Sequence, residues 1–366
     1  MSKLFSPSVI GPYEIAHRVI LAPLTRMRSE PGDIPGDLMV EYYRQRASRG
    51  GFMIAEASPV SPLGIAYAGA PGIYADAQIA GWRKVTDAVH AAGSRIFLQL
   101  WHSGRQSHPD LIGGETPVGP SALLAEGVAV SRNGEIPFAL PRALEPHEIP
   151  ELVAQFRRAS ERAMEAGFDG VELHSANGYL TDQFLQDGSN VRTDAYGGTL
   201  EKRARFLLEV VEAMTSVWGG NRTAVRISPS GKFGGMSDSN PQATFSYATQ
   251  ALNRFGLAYL HVIEPRIKGT EDLEDGAQPV AAAMLRRHFQ GPLMAAGGFD
   301  RASAEAILEA GVADTIAFGR AFLANPDLPE RFRRNLPLNA YDRSTFYGGD
   351  HRGYVDYPFH AAATAA

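Results

Sequence analysis

Three hydrogen-bonding side chains lie close together in the stretch VELHSANGYLTDQFLQ (Val171–Gln186). They are His174, Asn177 and Tyr179. The stretch begins like a buried strand and ends like an amphipathic helix, so the three residues fall where a strand gives way to a helix. Imidazole and amide groups donate hydrogen bonds to oxygen, and a phenol can give up a proton. The pattern indicates a catalytic site at the mouth of an α/β fold, with a polar loop and helix cap as the alternative.

The composition is that of an ordinary globular protein. The chain has 366 residues, of which 44% are hydrophobic and 20% charged, and its formal net charge is −5. The absence of a dense Lys/Arg cluster argues against a nucleic-acid or anionic-membrane surface. The absence of cysteine excludes disulfides, thiolate nucleophiles and cysteine-ligated metal sites. Because neither a signal-peptide pattern nor an 18-residue apolar run is present, we expect a cytoplasmic protein without a membrane span.

Eight short apolar segments alternate with longer helical patterns. The predicted strands are Arg18–Leu24, Gly51–Ala57, Arg95–Trp101, Asp169–Ser175, Thr223–Ser228, Ala258–Glu264, Pro292–Gly298 and Asp314–Gly319. The clearest predicted helices are Ala77–Ala92, Pro146–Ala166, Thr199–Trp218, Pro241–Phe255 and Arg301–Ala310. Four helix–strand junctions carry a glycine suited to ending a helix: Gly93, Gly167, Gly256 and Gly311. Eight such units favour a (β/α)8 TIM barrel over an open doubly wound sheet.

Three segments fall outside the repeating pattern of what we take to be one domain, residues 1–366. Residues 1–17 are expected to form a hairpin that closes the barrel floor. Residues 102–145 are too long for a simple connection, and we expect them to cap the C-terminal ends of the strands after strand three. Asn133-Gly134 within this insertion predicts a tight hairpin turn. The tail, residues 336–366, is rich in aromatic residues and glycine and is expected to fold back towards the site.

The C-terminal ends of strands seven and eight carry glycine turns. Gly297-Gly298 follows strand seven, and Gly319-Arg320 follows strand eight. Glycine lets backbone N–H groups approach an anion closely, and an arginine supplies a fork-shaped charge partner. Barrels of this type commonly bind phosphate at these two turns. The pattern therefore predicts a phosphate site, with tight connecting turns as the alternative.

Strands one, three and five contribute further polar groups. Arg226 lies in the apolar strand five, where burial is costly without a partner. Either a structural carboxylate pairs with it, or it faces a ligand that develops negative charge. Thr25 and Gln99 are weaker signals, since a core polar residue with its own hydrogen bonds would look the same.

Six motifs resemble the Old Yellow Enzyme family, in order and over nearly the whole chain. They are APLTR (Ala22–Arg26), EYYRQRAS (Glu41–Ser48), LQLWHSGR (Leu98–Arg105), ELHSANGYLTDQFLQDGSNVRTDAYGG (Glu172–Gly198), AFGRAFLANPDLP (Ala317–Pro329) and GYVDYP (Gly353–Pro358). The fourth motif is highly specific, whereas the first alone would be weak. Members are flavin-dependent ene-reductases on a (β/α)8 barrel, and they include xenobiotic and 12-oxophytodienoate reductases.

The resemblance implies non-covalent FMN, reduced by NADPH or NADH. The residues implied to contact the flavin ring are Pro23, Leu24, Thr25, Ala57 and Gln99. Arg226 would lie where negative charge accumulates on the ring. The phosphate would be held by Gly297, Gly298, Gly319 and Arg320.

The resemblance also implies the chemistry of the opening motif. His174 and Asn177 would bind the carbonyl or nitro oxygen of an enone or nitroalkene, with nitrate esters as a further substrate class. Hydride would pass to the β-carbon, and Tyr179 would protonate the α-carbon. Trp101 and Tyr347 would be pocket walls. Several family members carry histidine where this chain has Asn177; both side chains donate to oxygen, so the activity class is retained.

Other functions are weighed against this one. A glycosidase would use Glu56, Glu172 and Glu264 as carboxylates, but it leaves the glycine turns and Arg226 unexplained. A Schiff-base aldolase would require lysine at a strand end, and no predicted strand ends in lysine. A flavin- or ligand-binding barrel without turnover would leave Tyr179 without a purpose. The enzyme is expected to be a monomer or a weak homodimer, without nucleic-acid partners.

Overall fold

Eight parallel strands close into a barrel at the centre of the protein. The structure is a computed structural model, and it describes residues 2–265, 267–268, 271–272 and 281–361. The barrel strands are β1 (Val19–Leu21), β2 (Phe52–Pro59), β3 (Arg95–Trp101), β4 (Gly170–Ser175), β5 (Thr223–Ile227), β6 (Tyr259–Ile263), β7 (Leu293–Ala296) and β8 (Thr315–Phe318). Consecutive strands pair in parallel, and β8 pairs with β1 to complete the ring. All eight predicted strands are present, and the (β/α)8 TIM barrel is confirmed.

Several strands end earlier than predicted, for a reason visible in the sequence. β1 stops at Leu21, two residues before Pro23, which lacks the N–H group that a ladder needs. β7 stops at Ala296 because Gly297 and Gly298 adopt positive φ angles of 116° and 65°. The residues beyond these ends form loops at the mouth of the barrel.

Helices connect the strands on the outside of the barrel. In the described part of the chain the α-helices are Asp37–Arg46, Asp76–Ala91, Ile149–Glu165, Leu180–Leu185, Leu200–Trp218, Pro241–Leu252, Ala282–Leu285, Arg301–Glu309, Arg320–Ala324 and Leu328–Arg334. The five predicted helices are confirmed, although the fourth ends at Leu252 and continues as a 3-10 turn over Asn253–Phe255. The four junction glycines have φ angles from 58° to 85°, as their helix-ending role requires. None of the described helices is long and apolar enough to cross a membrane.

Inward-facing positions change from apolar at the floor of the barrel to polar at its mouth. Phe52 and Phe97 pack edge to face near the floor, with ring centroids 4.9 Å apart. On β4 the side chains alternate, so Glu172 and His174 face inwards while Val171 and Leu173 pack against the helices. The polar residues of the barrel are therefore concentrated near the C-terminal ends of the strands.

A short hairpin closes the floor, as expected. Ser8–Ile10 pairs antiparallel with Tyr13–Ile15. Ile10 and Ile15 are buried in the same cluster as Phe52 and Phe97 from inside the barrel. Apolar side chains from the hairpin thus fill the end of the barrel away from its mouth.

The insertion after β3 caps the mouth. It contains a short parallel pair, Val118–Gly119 with Arg142–Ala143, and a hairpin, Val128–Ser131 with Gly134–Pro137. Backbone hydrogen bonds join Val130 to Ala66 and Ala68, in the loop after β2. The capping segment therefore holds a neighbouring loop of the barrel mouth in place.

The predicted tight hairpin turn is present, and the pairing defines which residues form it. Ser131 pairs with Gly134, so Arg132 and Asn133 are the two turn residues and Gly134 begins the second strand. The register follows burial: Ala129 packs against Phe138 under the hairpin, and a shift of one residue would turn Ala129 outwards.

Candidate active site

A cavity of about 490 Å³ opens at the C-terminal ends of the strands. Its volume lies within the range that small-molecule sites occupy. The predicted site residues that line it are Pro23, Leu24, Thr25, Gln99, His174, Asn177, Tyr179, Arg226, Arg320 and Tyr347. The fold thus brings together groups that the sequence separates by more than 300 residues.

A second cavity of about 470 Å³ adjoins the first along the ends of β7 and β8. Gly297, Gly298 and Gly319 line it, and the two cavities share Leu24, Asn177, Arg226 and Arg320 as wall residues. The result is one elongated cleft, polar and hydrogen-bonding at the first end and glycine-lined at the second.

The glycine-lined end suits an anionic group. A side chain at Gly297 would lie 3.1–3.2 Å from Glu264, including its backbone, and the φ angle of 116° is rare for other residues. Glycine is therefore required at residue 297 by its backbone conformation and by Glu264, and Gly297 lines the second cavity. Asp300 also lines the second cavity, but its carboxylate accepts hydrogen bonds from the N–H and hydroxyl of Ser303.

A charged network lies beneath the first cavity. Glu172 accepts hydrogen bonds from the Gln99 amide (2.7 Å) and from Nδ1 of His261 (2.9 Å). Burial raises the pKa of Glu172, but His261, Arg226 and Gln99 together hold it below its usual value. The sequence left open whether a structural carboxylate or a ligand offsets the charge of Arg226. The structure places the carboxylate of Glu172 nearby, and the Arg226 side chain also faces the cleft.

His174 is the last inward-facing residue of β4 and pairs in register with Arg226 on β5. Burial, together with the charges of Arg226 and His261, lowers the pKa of His174 well below its usual value. The imidazole is therefore neutral at neutral pH, with one N–H to donate. Asn177 follows in a left-handed turn, with a φ angle of 55°, and lines the same cavity.

The Tyr179 hydroxyl lies 3.2 Å from the hydroxyl of Tyr67. Burial raises the pKa of Tyr179 well above its usual value, and Tyr67 and Tyr347 raise it further. The phenol therefore keeps its proton over the neutral range. Tyr179 is the N-cap residue of Leu180–Leu185, but its side chain makes no capping hydrogen bond. The helix-cap alternative does not account for this side chain.

Tyr67 lines the cavity and is not among the site residues predicted from the sequence. Its ring stacks on Trp101, with centroids 5.8 Å apart and planes 14° from parallel. Burial raises its pKa to about 12, although the hydrogen bond with Tyr179 opposes that shift. An aromatic residue in the Gly/Ala-rich loop that follows β2, at the mouth of the barrel, was the available signal.

Two predicted site residues lie behind the cavity wall. Trp101 and Ala57 are buried together with Tyr179 in a small apolar cluster, and neither lines the two cavities. Trp101 contacts Tyr67 on one side and Tyr179 on another, with centroids 5.1 Å apart in the second pair. Its position supports the two tyrosines and does not form the wall itself.

The C-terminal tail folds back to the mouth, and Arg26 fastens it there. The Arg26 guanidinium donates to the carbonyl oxygens of Thr345, Phe346 and Gly353, and its side chain lies over the ring of Tyr354. Phe346 and Tyr347 thereby line the first cavity.

The loop after β1 is fixed from below. The backbone N–H of Arg26 donates to the carboxylate of Glu56 (3.0 Å), which is buried within β2. Burial raises the pKa of Glu56 to about 7, and the hydrogen bond from Arg26 opposes that shift. Thr25, the neighbour of Arg26, is thus held at the cavity.

Residues 3–339 match the NADH:flavin oxidoreductase / NADH oxidase family. The chain belongs to this family. It is 45% identical over 361 residues to 12-oxophytodienoate reductase 1 of Oryza sativa subsp. japonica, covering 97% of this chain and 93% of the relative. It is 44% identical over 381 residues to flavin oxidoreductase hxnT of Emericella nidulans, covering 98% of both chains.

Solved structures of the family share the fold. Morphinone reductase superposes with a TM-score of 0.93 at 46% identity, covering 100% of this chain and 98% of its own. The Old Yellow Enzyme homologue from Zymomonas mobilis superposes with a TM-score of 0.93 at 42% identity, covering 97% of this chain and 99% of its own. The predicted resemblance to Old Yellow Enzyme is confirmed. The protein is an NAD(P)H-dependent flavin oxidoreductase with FMN as cofactor.

The cleft fits FMN on the chemistry of its walls. The glycine turns at Gly297-Gly298 and Gly319 leave room for a phosphate, and Arg226 presents a positive charge between the two ends. The Nε atom of Arg226 is buried and has no hydrogen-bond partner among the described residues. A buried polar atom without a partner requires an explanation, and bound FMN would supply an acceptor for it.

The glycosidase alternative is wrong. Glu56 and Glu172 are buried within the protein and Glu264 accepts a hydrogen bond from the N–H of Ala282. None of the three lines either cavity. They therefore cannot flank a glycosidic bond as an acid and base pair must.

Proposed function

We propose that this oxidoreductase is an ene-reductase for activated alkenes. The substrates are α,β-unsaturated carbonyl compounds and nitroalkenes, with nitrate esters as a further class. The observation that carries the proposal is the meeting of His174, Asn177 and Tyr179 at one cavity, beside Arg226. Two of these side chains suit an electron-rich oxygen and the third is a protonated acid.

In the proposed reaction His174 and Asn177 bind the carbonyl or nitro oxygen. The bound FMN would supply the hydride for the β-carbon. As that bond forms, the alkene electrons move towards the oxygen, and the two N–H donors stabilise the negative charge that develops there. His174 is suited to this because its ring, neutral at neutral pH, keeps one N–H that it can donate to the oxygen.

Tyr179 is proposed to protonate the α-carbon. Its hydroxyl faces the cavity, and its raised pKa keeps the proton available until carbon takes it. The tyrosinate left behind would accept a hydrogen bond from Tyr67, 3.2 Å away. Proton loss from Tyr179 is then followed by uptake from solvent, which restores the acid.

We propose that the flavin ring contacts Pro23, Leu24, Thr25 and Gln99, all of which line the first cavity. The phosphate would lie at Gly297, Gly298, Gly319 and Arg320, with Arg226 beside the ring. Because the reaction consumes NAD(P)H, a cytoplasmic location would supply its reductant.

The proposal is tested with purified protein. We expect flavin absorption on isolation or after adding FMN, bleaching by NADH or NADPH, and anaerobic reoxidation by 2-cyclohexenone with formation of the saturated ketone. A flavin that is bleached but not reoxidised by any enone or nitroalkene would favour the binding protein without turnover. Steady-state rates with both nucleotides, against a panel of the three substrate classes, would identify the preferred partners.

The oxygen-binding pair gives a prediction of its own. Combining His174→Ala with Asn177→Gly is expected to weaken binding of 4-chlorophenol roughly 10- to 100-fold, since two hydrogen bonds to an electron-rich oxygen are lost. Glycine is chosen because it retains the left-handed turn at residue 177. Binding is measured by calorimetry on the FMN-loaded protein.

The control for this pair is Ser175→Ala. The Ser175 hydroxyl is buried beside His174 on β4 and has no partner in the described part of the chain. Its removal should leave phenol affinity unchanged. Tight phenol binding by the double variant would refute the assigned role of His174 and Asn177.

A further inference from the structure

Asn177 and Gly178 form an unusual backbone turn. Their φ angles are 55° and 72°, so two consecutive residues adopt the left-handed conformation. Asparagine tolerates this conformation better than most residues, and glycine adopts it freely. A side chain at Gly178 would lie within 2.7 Å of Gln106, Met236 and Phe233, so the surroundings also exclude any larger residue.

Side chains bind every backbone polar group of this turn. The N–H of Asn177 donates to the Ser228 hydroxyl (2.7 Å), and the N–H of Gly178 donates to Asp182 (2.9 Å). The Gln106 amide donates to both carbonyl oxygens, at 2.9 Å and 2.6 Å. The Gln183 amide donates to the Gly178 carbonyl (2.7 Å).

These four side chains, here called the turn cradle, are Gln106, Asp182, Gln183 and Ser228. All four are buried, with at most 1% of their surface exposed. They come from three neighbouring parts of the barrel mouth: the segment after β3, the helix after β4 and the end of β5. The turn is therefore held from three directions.

The cradle is also connected internally. The Asp182 carboxylate accepts from the Gln186 amide (2.7 Å) and from the Ser228 hydroxyl. The Gln183 amide oxygen accepts from the N–H of Arg105 (3.1 Å), and its nitrogen donates to the Ser103 carbonyl. Loss of Ser228 would remove a donor to Asp182 and the acceptor of the Asn177 N–H together, so these two contacts depend on each other.

None of the cradle side chains lines the two cavities, so none of them can touch the substrate directly. Burying a carboxylate and three other polar side chains is costly unless each is hydrogen-bonded. A tight turn on the surface would satisfy its own N–H groups with water. What the four side chains do accomplish is to fix the peptide planes on both sides of Asn177.

We infer that Gln106, Asp182, Gln183 and Ser228 are positioning residues that hold the Asn177 amide beside His174 for the substrate oxygen. The inference rests on the proposed function, because it gives Asn177 the task of binding that oxygen. A hydrogen bond to a developing charge weakens steeply when its donor is misplaced by a fraction of an ångström, so a fixed turn raises both affinity and rate.

The test is a double-mutant cycle on the FMN-loaded protein, read by calorimetric titration with 4-chlorophenol. Ser228→Ala removes the acceptor for the Asn177 N–H and is expected to weaken binding about fivefold. In the Asn177→Gly background the same substitution should change affinity by less than about twofold, because the side chain that it positions is gone. Ser175→Ala, the control with a buried hydroxyl outside the cradle, should not change affinity in either background.

Gln106→Met is the second variant, since methionine has a similar volume and removes both donors to the turn. Gln106→Met should weaken phenol binding about as much as Ser228→Ala does when Asn177 is present, and should change it little in the Asn177→Gly background. Unchanged affinity in Ser228→Ala and Gln106→Met, or an equal loss with and without Asn177, would overturn the inference. A different result would show that the proposed role of Asn177 itself is wrong. In that case the Asn177→Gly single variant would bind the phenol as tightly as the unsubstituted protein does.

Discussion

Replacing Tyr179 with phenylalanine is expected to slow enone reduction by about 10²- to 10⁴-fold, the usual contribution of a positioned general acid. The ring would still pack against His174 and Trp101, so only the proton donor is lost. Bleaching of the flavin by NAD(P)H should proceed at nearly its normal rate because no proton is delivered to carbon in that half of the cycle. Stopped-flow measurement of each half-reaction separates the two effects.

The pH dependence follows from the raised pKa of Tyr179. Since burial holds that pKa well above its usual value of about 10, the rate of enone reduction should show no loss from tyrosine ionisation up to about pH 9. Tyr347→Phe is the matched control, since the Tyr347 side chain lines the same cavity and has no part in the proposed proton transfer. Unchanged enone reduction by Tyr179→Phe would show that the proton comes from elsewhere.

The barrel could be predicted from the sequence because its signals are local. Each strand is a short apolar segment, and each of Gly93, Gly167, Gly256 and Gly311 marks a helix end by its own conformational freedom. The ends of the strands were less certain. The ends of β1 and β7 depend on Pro23 and on the backbone conformation of Gly297, and a pattern of hydrophobic residues does not show either effect.

The cleft could be predicted only in part. His174, Arg226 and the glycine turns stand at strand ends, so the barrel rule alone places them together. Tyr67 and Phe346 lie in loops whose path is set by contacts with the capping segment and by Arg26, far away in sequence. Such contacts leave no periodic pattern. Trp101 was expected as a wall, but Tyr67, which the sequence reasoning passed over, stacks on it and covers it.

The partner of Arg226 was also left open by the sequence. Either a carboxylate or a bound ligand could offset the cost of burying the Arg226 charge. The structure places the carboxylate of Glu172 nearby, and Arg226 Nε has no hydrogen-bond partner among the described residues. Glu172 and Ala224 pair in register across β4 and β5, which places the carboxylate one layer below Arg226. The position of the carboxylate relative to Arg226 depends on strand register, which is a long-range property that the sequence alone does not reveal.

Replacing Glu172 with glutamine is expected to lower the free energy of unfolding by about 3 kcal/mol, the lower end of the cost of removing a buried charge from an opposite one; Arg226 attracts Glu172 electrostatically, and Gln99 and His261 hydrogen-bond to it. The side chain keeps its shape, but Arg226 loses its counter-charge and His261 loses a charged acceptor (2.9 Å). We use the lower end of this range of energies because the Arg226 side chain lines the cleft, where solvent can partly stabilise its charge. Urea unfolding at pH 7, followed by circular dichroism, measures the change.

The pH dependence of this loss has a definite sign. Because the folded pKa of Glu172 is lowered, its stabilising contribution is fully present above the ordinary glutamate pKa of about 4.3. It is lost as the pH falls through the lower folded value. The stability difference between the unsubstituted protein and Glu172→Gln should therefore be constant from about pH 5 to 8 and shrink only in stronger acid.

Two further variants test whether the stability loss in Glu172→Gln arises because the charges are buried. One removes a surface ion pair, and the other removes the buried arginine as well. Glu148→Gln removes a carboxylate that binds Arg142 through two hydrogen bonds of 2.7 Å at the protein surface, and it should cost about 1 kcal/mol or less. Adding Arg226→Met to Glu172→Gln removes the unpaired charge and should recover most of the lost stability. A double variant as unstable as Glu172→Gln alone would mean that the carboxylate stabilises the barrel through Gln99 and His261, and that Arg226 is held by the ligand side of the cleft.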